Sequence, residues 1–312
     1  MKKFIALLLA MLMVIGLVAC GGKKAPAKTE DGSFTTVNEG KLTMATNAQF
    51  PPYEMYSDGT IVGIDAEIAG AIAEKLGLEL VIEDMEFDTI IVAVNSGKAD
   101  IGMAGMTVTP ERQEVVNFTS TYATGVQSII VAADNDTIAG TNDDLALIDA
   151  EGNVLEGLTI GVQRNTTGDL FTTWYMEDLG LATIDRYSKG ADAVQALLTG
   201  KVDCVVIDNE PAKAFVAEAE GLKILDTNYV LEDYAGAMSK DNAALYEAVN
   251  AALEELIADG TVQAIIDKYI SADTTSEEVV EEEVAEEVTE EAAEEEATEE
   301  VTEEVTEEAA AE

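Results

Sequence analysis

The chain is 312 residues long and sets 17 Lys and Arg against 62 Asp and Glu, a formal charge of −45, with no His, two Cys and 47% hydrophobic residues. That balance argues against a nucleic-acid partner, which needs clustered cations for its phosphates. The missing His and scarce Cys exclude imidazole catalysis, an imidazole pH switch, a Cys-rich zinc site and a disulfide framework. The hydrophobic fraction is enough for a packed core, and the length allows one to three domains.

The N-terminus reads as a targeting segment. Lys2 and Lys3 precede an unbroken apolar run from Phe4 to Ala19. The run is short for a membrane span, which needs roughly 20 residues, and suits a signal h-region. It ends in Leu17-Val18-Ala19-Cys20-Gly21, which resembles the lipobox of bacterial lipoproteins. That resemblance implies cleavage after residue 19 and a thioether lipid on Cys20; an uncleaved anchor or a plain secretory signal are the alternatives. Residues 20–40 then form a flexible tether.

From residue 41, short apolar strands alternate with amphipathic helices. Leu42 to Thr46 is a predicted strand. Asp65 to Leu76 is a predicted helix with Ile64, Ile68 and Ile72 on one face and Gly77 as its stop. Leu78 to Ile82 is a strand. Asp88 is the expected cap of a helix carrying Ile90, Ile91 and Val94, and Asp100 to Ala104 is a further strand. Such alternation predicts α/β layers with parallel strands.

The chain then echoes itself. Lys41-Leu-Thr-Met-Ala-Thr-Asn47 aligns with Gly157-Leu-Thr-Ile-Gly-Val-Gln163, and Ser96-Gly-Lys-Ala-Asp100 with Thr199-Gly-Lys-Val-Asp203. Two matches in the same order predict two lobes of one topology. Asn47 and Gln163 then end equivalent strands, as do Gly105 and Asp208. Ligands in open α/β sheets sit beyond the carboxyl ends of strands, so facing lobes make a cleft lined by these four positions. Cys204 falls in an apolar strand and reads as a small buried hydrophobe. Asp241 to Ile270 is helical, with a stripe of Leu245, Val249, Leu253 and Ile257, and is expected to return to the first lobe. The chain would cross between lobes near Thr121 to Val131 and near Thr227 to Ala235, and two crossings define a hinge.

Arg occurs at 112, 164 and 186 only. Thr109 is a good N-cap and Pro110 suits the first helical position, which puts Arg112 in a first turn where the dipole disfavours a cation. An anion held by Arg112 and the Thr107 hydroxyl would explain it; so would a surface pair with Glu111 or Glu114.

Asn47-Ala-Gln-Phe50-Pro-Pro-Tyr53-Glu54, Gly63-Ile-Asp65, Phe87-Asp88 and Ala104-Gly-Met-Thr107-x-Thr-x-Glu111-Arg112 together resemble the family 3 solute-binding proteins, the amino-acid receptors of ABC importers. The second half matches in Gly161-Val-Gln163-x-x-Thr-Thr167-Gly168 and Val202-Asp203-x-Val-x-x-Asp208-Asn-Glu-Pro211. The resemblance implies an α/β, two-lobed periplasmic-binding-protein-like fold of type II with two crossover hinge segments. Residues 41–125 and 232–270 would form lobe 1, and 126–231 lobe 2.

It also implies a binding protein rather than an enzyme, without cofactor or metal. Arg112, with Thr107 and Thr167, would take the ligand carboxylate. Asp208 and Gly105, next to Ala104, would take the ammonium, and Phe50 and Phe87 would pack on the side chain. Relatives for basic amino acids place Asp where Asn47 stands; the amides Asn47 and Gln163 favour a polar, uncharged side chain, though Glu54 adds a negative charge. Arg164 faces solvent or an acidic ligand. The implied partners are a free amino acid, ABC permease subunits and the membrane through the lipid on Cys20, with the protein outside the cytoplasm and monomeric. A cyclohexadienyl-dehydratase-like enzyme or a ligand-sensing domain on the same fold are the alternatives.

The tail, 271–312, holds 20 acids and no base. Its charge repulsion predicts an extended, disordered spacer. The body from 20 to 270 then carries 15 basic and 42 acidic residues, or −27.

Overall fold

The computed structural model describes residues 34–226 and 229–270. The leader, Cys20 and the acidic tail lie outside the described residues.

The first part of the chain runs β1 (Lys41–Thr46), β2 (Gln49–Phe50), β3 (Glu54–Ser57), β4 (Thr60–Val62), α1 (Ile64–Leu76), β5 (Glu79–Asp84), α2 (Ile90–Asn95), β6 (Ile101–Gly102), α3 (Pro110–Val115) and β7 (Val116–Phe118). The next part runs β8 (Ala123–Ala132), β9 (Gly140–Thr141), β10 (Leu147–Ile148), β11 (Leu158–Gln163), α4 (Thr167–Thr172), β12 (Ala182–Tyr187), α5 (Gly190–Leu198), β13 (Cys204–Asp208), α6 (Asn209–Glu218), β14 (Leu222–Ile224) and β15 (Val230–Tyr234). The chain then returns through β16 (Ala237–Ser239) to α7 (Ala243–Ala258) and α8 (Thr261–Tyr269).

Two main sheets result, one in each lobe. The first has the order β5-β1-β6-β16-β7, the second β12-β11-β13-β8-β14 with β15 also paired to β8. The expected echo is real at the level of register. β1 lies parallel between β5 and β6, and β11 lies parallel between β12 and β13. Strands paired on both sides bury both faces, which is why Leu42, Met44, Ile160 and Val162 are all fully buried.

α1 shows how the sequence sets an element. Gly63 precedes it at φ 132°, where an added Cβ would lie 2.2 Å from the Tyr53 carbonyl oxygen. Only glycine fits that approach. Asp65 and Glu67 sit in its first turn and Lys75 in its last, each favourable to the dipole. Ile64, Ile68 and Ile72 are buried as expected.

Three expectations are corrected. Asp88 caps no helix: it lies in a 3₁₀ turn, Phe87–Thr89, and Thr89 precedes α2. The strand expected over 100–104 is only Ile101–Gly102, although the Asp100 and Met103 N–H groups still donate to the Thr43 and Ala45 carbonyls of β1. In α7 the buried stripe is Leu245, Val249, Leu253 and Leu256, while Ile257 is exposed. Each four-residue step overshoots a helical turn by about 40°, so a third step leaves the buried face.

The lobes are joined where β8 and β15 pair antiparallel, from Val230 opposite Gln127 to Tyr234 opposite Ala123. Thr119 N–H donates to the Gly236 carbonyl and Tyr122 N–H to the Tyr234 carbonyl, each within about one hydrogen-bond length. The two crossovers therefore run side by side. α7 and α8 pack on α1 of the first lobe.

Candidate functional site

The strand ends converge as the topology requires. A narrow cavity is lined by Asn47, Phe50, Phe87, Ala104, Gly105 and Thr107 from the first lobe, with Arg112. Gln163, Thr167 and Asp208 line it from the second lobe. All ten residues singled out from the sequence thus meet at one place, and Glu54 and Thr166 join them.

Arg112 owes its position to the local sequence. Thr109 caps α3 and accepts from the Arg112 N–H at 3.2 Å, and Pro110 occupies the first helical position. The side chain is 9% exposed. It forms no ion pair with Glu111 or Glu114 among the described residues. Nη1 donates to the Thr107 carbonyl at 2.8 Å, Nη2 reaches the Asn165 carbonyl in the other lobe at 2.9 Å, and the guanidinium lies 5.4 Å from the Phe87 ring centroid. Burial lowers its pKa; the nearby carboxylates of Glu232 and Asp208 partly restore it.

Asp208 is 5% exposed at the end of β13 and stands at the start of α6 without capping it. Its carboxylate accepts from the Tyr234 hydroxyl instead. Burial, then the charge of Glu232, push its pKa up to about 7. Tyr234 comes from the returning hinge strand, 26 residues on. No sequence signal marked it.

Gly105 has φ 51°, and a Cβ there would meet Phe50 Cε1 at 2.7 Å. Its N–H donates to Asp65 Oδ2 at 2.8 Å, which fixes the peptide. Asp65 is fully buried, and burial raises its pKa to about 6. Glu54 is also fully buried, and neither of its carboxylate oxygens receives a hydrogen bond among the described residues. Burial and the adjacent Asp65 hold its pKa well above the usual carboxylate range.

The two amides touch across the cleft. Gln163 Nε2 donates to Asn47 Oδ1 at 2.9 Å, and Asn47 Nδ2 donates to the Met85 carbonyl at 2.9 Å. Arg164 does not simply face solvent: its Nη1 lies 3.2 Å from Asp88 Oδ2 on the opposite lobe. Arg186 is taken by Asp169 at 2.8 Å and Glu177 at 2.6 Å, away from the cavity.

Behind Arg112, Thr107 Oγ1 donates to Glu232 Oε2 at 2.9 Å, and Gln127 Nε2 donates to the same oxygen at 3.1 Å. Thr166 was missed in the sequence although its signal was present. It caps α4, accepting from the Asp169 N–H, three residues on.

A site that brings together one buried cation, one buried carboxylate and two aromatic walls matches the charges of a small zwitterion. Comparison with known proteins agrees. The profile of the bacterial extracellular solute-binding proteins, family 3, matches residues 42–272. The arginine-binding extracellular protein ArtP of Bacillus subtilis (strain 168) is 29% identical over 88% of this chain and all of its own. The structure of an ancestral arginine-binding protein bound to glutamine superposes with a TM-score of 0.67 at 36% identity, covering 75% of this chain and 99% of that one. An ancestral amino-acid-binding protein, a precursor of cyclohexadienyl dehydratase, gives 0.64 at 30% identity, over 74% and 95% of the two chains.

Proposed function

The chain belongs to the bacterial extracellular solute-binding proteins, family 3, and we propose that it is a receptor, anchored outside the cytoplasm by a lipid on Cys20, that delivers a free L-amino acid to an ABC importer. The observation that carries this reading is the placing of Arg112 and Asp208 on one buried cavity. Arg112 takes the α-carboxylate, helped by the Thr107 and Thr167 hydroxyls. Asp208 and the Gly105 carbonyl take the α-ammonium. Phe50 and Phe87 flank the side chain. Residues 41–125 with 232–270 move against 126–231 about the β8 and β15 crossovers, and the protein works as a monomer. The relatives named above are binding proteins, which favours a receptor over an enzyme.

For the side chain, the Asn47–Gln163 amide pair supports a polar, uncharged group such as that of glutamine. Amides can donate and accept, and they offer no net charge. A second reading follows from Glu54. Glu54 is a buried acid beside Asp65 that lines the cavity, and once ionised it would suit a cationic side chain such as that of arginine.

Calorimetry with L-glutamine and L-arginine at about pH 8 and about pH 5 separates the two. In the uncharged reading glutamine binds tighter at both. Tight arginine binding that weakens more than glutamine binding on acidification supports Glu54, which must then be ionised. Heat from no amino acid at either pH contradicts the receptor reading.

A further inference from the structure

Tyr234 ends the returning hinge strand β15 and is fully buried. Its backbone is tied to the first lobe's side of the hinge. The Tyr234 carbonyl accepts from the Tyr122 N–H at 3.0 Å, the Asp233 carbonyl accepts from the Val108 N–H at 2.9 Å, and the Ala235 N–H donates to the Met106 carbonyl at 3.1 Å. The side chain reaches the other way. Its hydroxyl donates to Oδ1 of Asp208, which ends β13 in the second lobe.

The sequence makes room for that reach. A Cβ at Gly125 in β8 would overlap the Tyr234 ring and hydroxyl. On another side the Tyr53 ring meets Tyr234 edge to face, with centroids 5.1 Å apart. Asp208 also lies in the field of Glu232 from β15, of Glu54 beside Tyr53, and of the Arg112 cation from α3. Burial and the Glu232 charge favour a proton on Asp208; the tyrosine hydroxyl opposes them, because it donates to the ionised form. An ammonium needs that form as its partner.

We propose that Tyr234 is a positioning residue for amino-acid binding: from the first lobe it holds the second lobe's Asp208 in place as acceptor of the ligand ammonium. The inference rests on the receptor reading above and assigns a residue to it that lines no part of the cavity. One hydroxyl occupies one lone pair of the carboxylate and leaves the others for the ammonium.

Tyr234→Phe keeps the ring and removes the donor. In the full chain without added amino acid it should lower the melting temperature, and by more at about pH 8.5 than at about pH 5, because the lost bond serves the ionised carboxylate. In the Asp208→Asn background the loss should not vary with pH. In calorimetry with L-glutamine and L-arginine, Tyr234→Phe should weaken binding about tenfold or more at about pH 6 and less than about threefold at about pH 8.5. Gly125→Ala, which crowds the ring but leaves the hydroxyl, should weaken binding with the same pH dependence. A melting-temperature loss that is equal at both pH values, or that varies with pH even in the Asp208→Asn background, overturns the proposal. So does an affinity loss equal at both pH values, the mark of a merely structural role. The melting measurements need no ligand, so they separate this outcome from failure of the receptor reading, which would show as heat from no amino acid with the unaltered chain.

Discussion

In the first lobe Asp100 receives the Thr43 N–H on its carboxylate at 2.8 Å, and in the second Asp203 receives the Thr159 N–H at 2.7 Å. The backbone repeats the match: the N–H of each Asp donates to the carbonyl of the same Thr at 2.8 Å. At the opposite ends of the same strands the lobes part company. Gly105 in the first lobe offers backbone only, where Asp208 in the second offers a buried carboxylate. The single buried arginine of the cavity comes from the first lobe alone. The lobes are alike as scaffolds and unlike as donors of charge. Under the proposed assignment a zwitterion spanning both lobes needs both, and binding would then be coupled to closure.

The sharpest way to break that asymmetry is to remove the first lobe's cation. Arg112→Ala should weaken amino-acid binding by at least about a hundredfold, measured by calorimetry, because it leaves a buried ligand carboxylate without its cation. Circular dichroism should show the fold retained. Affinity that survives the change would mean that the lobes do not divide the charges.

Asp208 provides the next test, through pH. Its carboxyl is raised to about 7 by burial and by Glu232. Between about pH 7 and about pH 4 the ligand-free protein holds a proton there that the unfolded chain has released. Stability from this group therefore rises as pH falls through that window. Affinity for an ammonium moves the other way, by up to about tenfold per pH unit. Opposite trends in melting temperature and affinity are expected, and Asp208→Asn should weaken binding and flatten both. Parallel trends would refute the role of the carboxylate.

The scaffold ends allow a finer comparison. Asp100 is buried and also receives the Val37 N–H at 2.8 Å, whereas Asp203 is exposed. Asp100→Ala should cost about 1–3 kcal/mol in chemical denaturation and Asp203→Ala less than about 1 kcal/mol. Equal losses would show that the covering segment adds nothing.

Smallest is the exposed pair of Arg164 and Asp88 across the cleft mouth. Arg164→Ala should change affinity only a few fold, and less at high salt. A large loss would move Arg164 into the ligand's own contacts.

These contrasts also explain what could be read beforehand. The strand echo, the Thr109–Pro110 cap and the isoleucine face of α1 are local patterns, and the structure reproduces them. Asn47, Gly105, Gln163 and Asp208 followed because strand ends in such sheets converge, whereas the other cavity residues rested on the family resemblance. What escaped depends on contacts distant in sequence. Tyr234 reaches Asp208, and Arg164 reaches Asp88, only after the lobes face each other. Asp88 looked like a cap because caps and cross-lobe partners use the same residue types. Ile257 failed because a four-residue step only approximates a helical turn.

The most direct measurement is calorimetry of the lipid-free protein against the twenty common L-amino acids. Saturable heat with one or a few of them is expected, lost when the ligand's carboxylate is esterified or its amine acetylated. No heat with any of the twenty, or equal heat with the blocked forms, would contradict a site in which Arg112 and Asp208 hold the two charges of one amino acid.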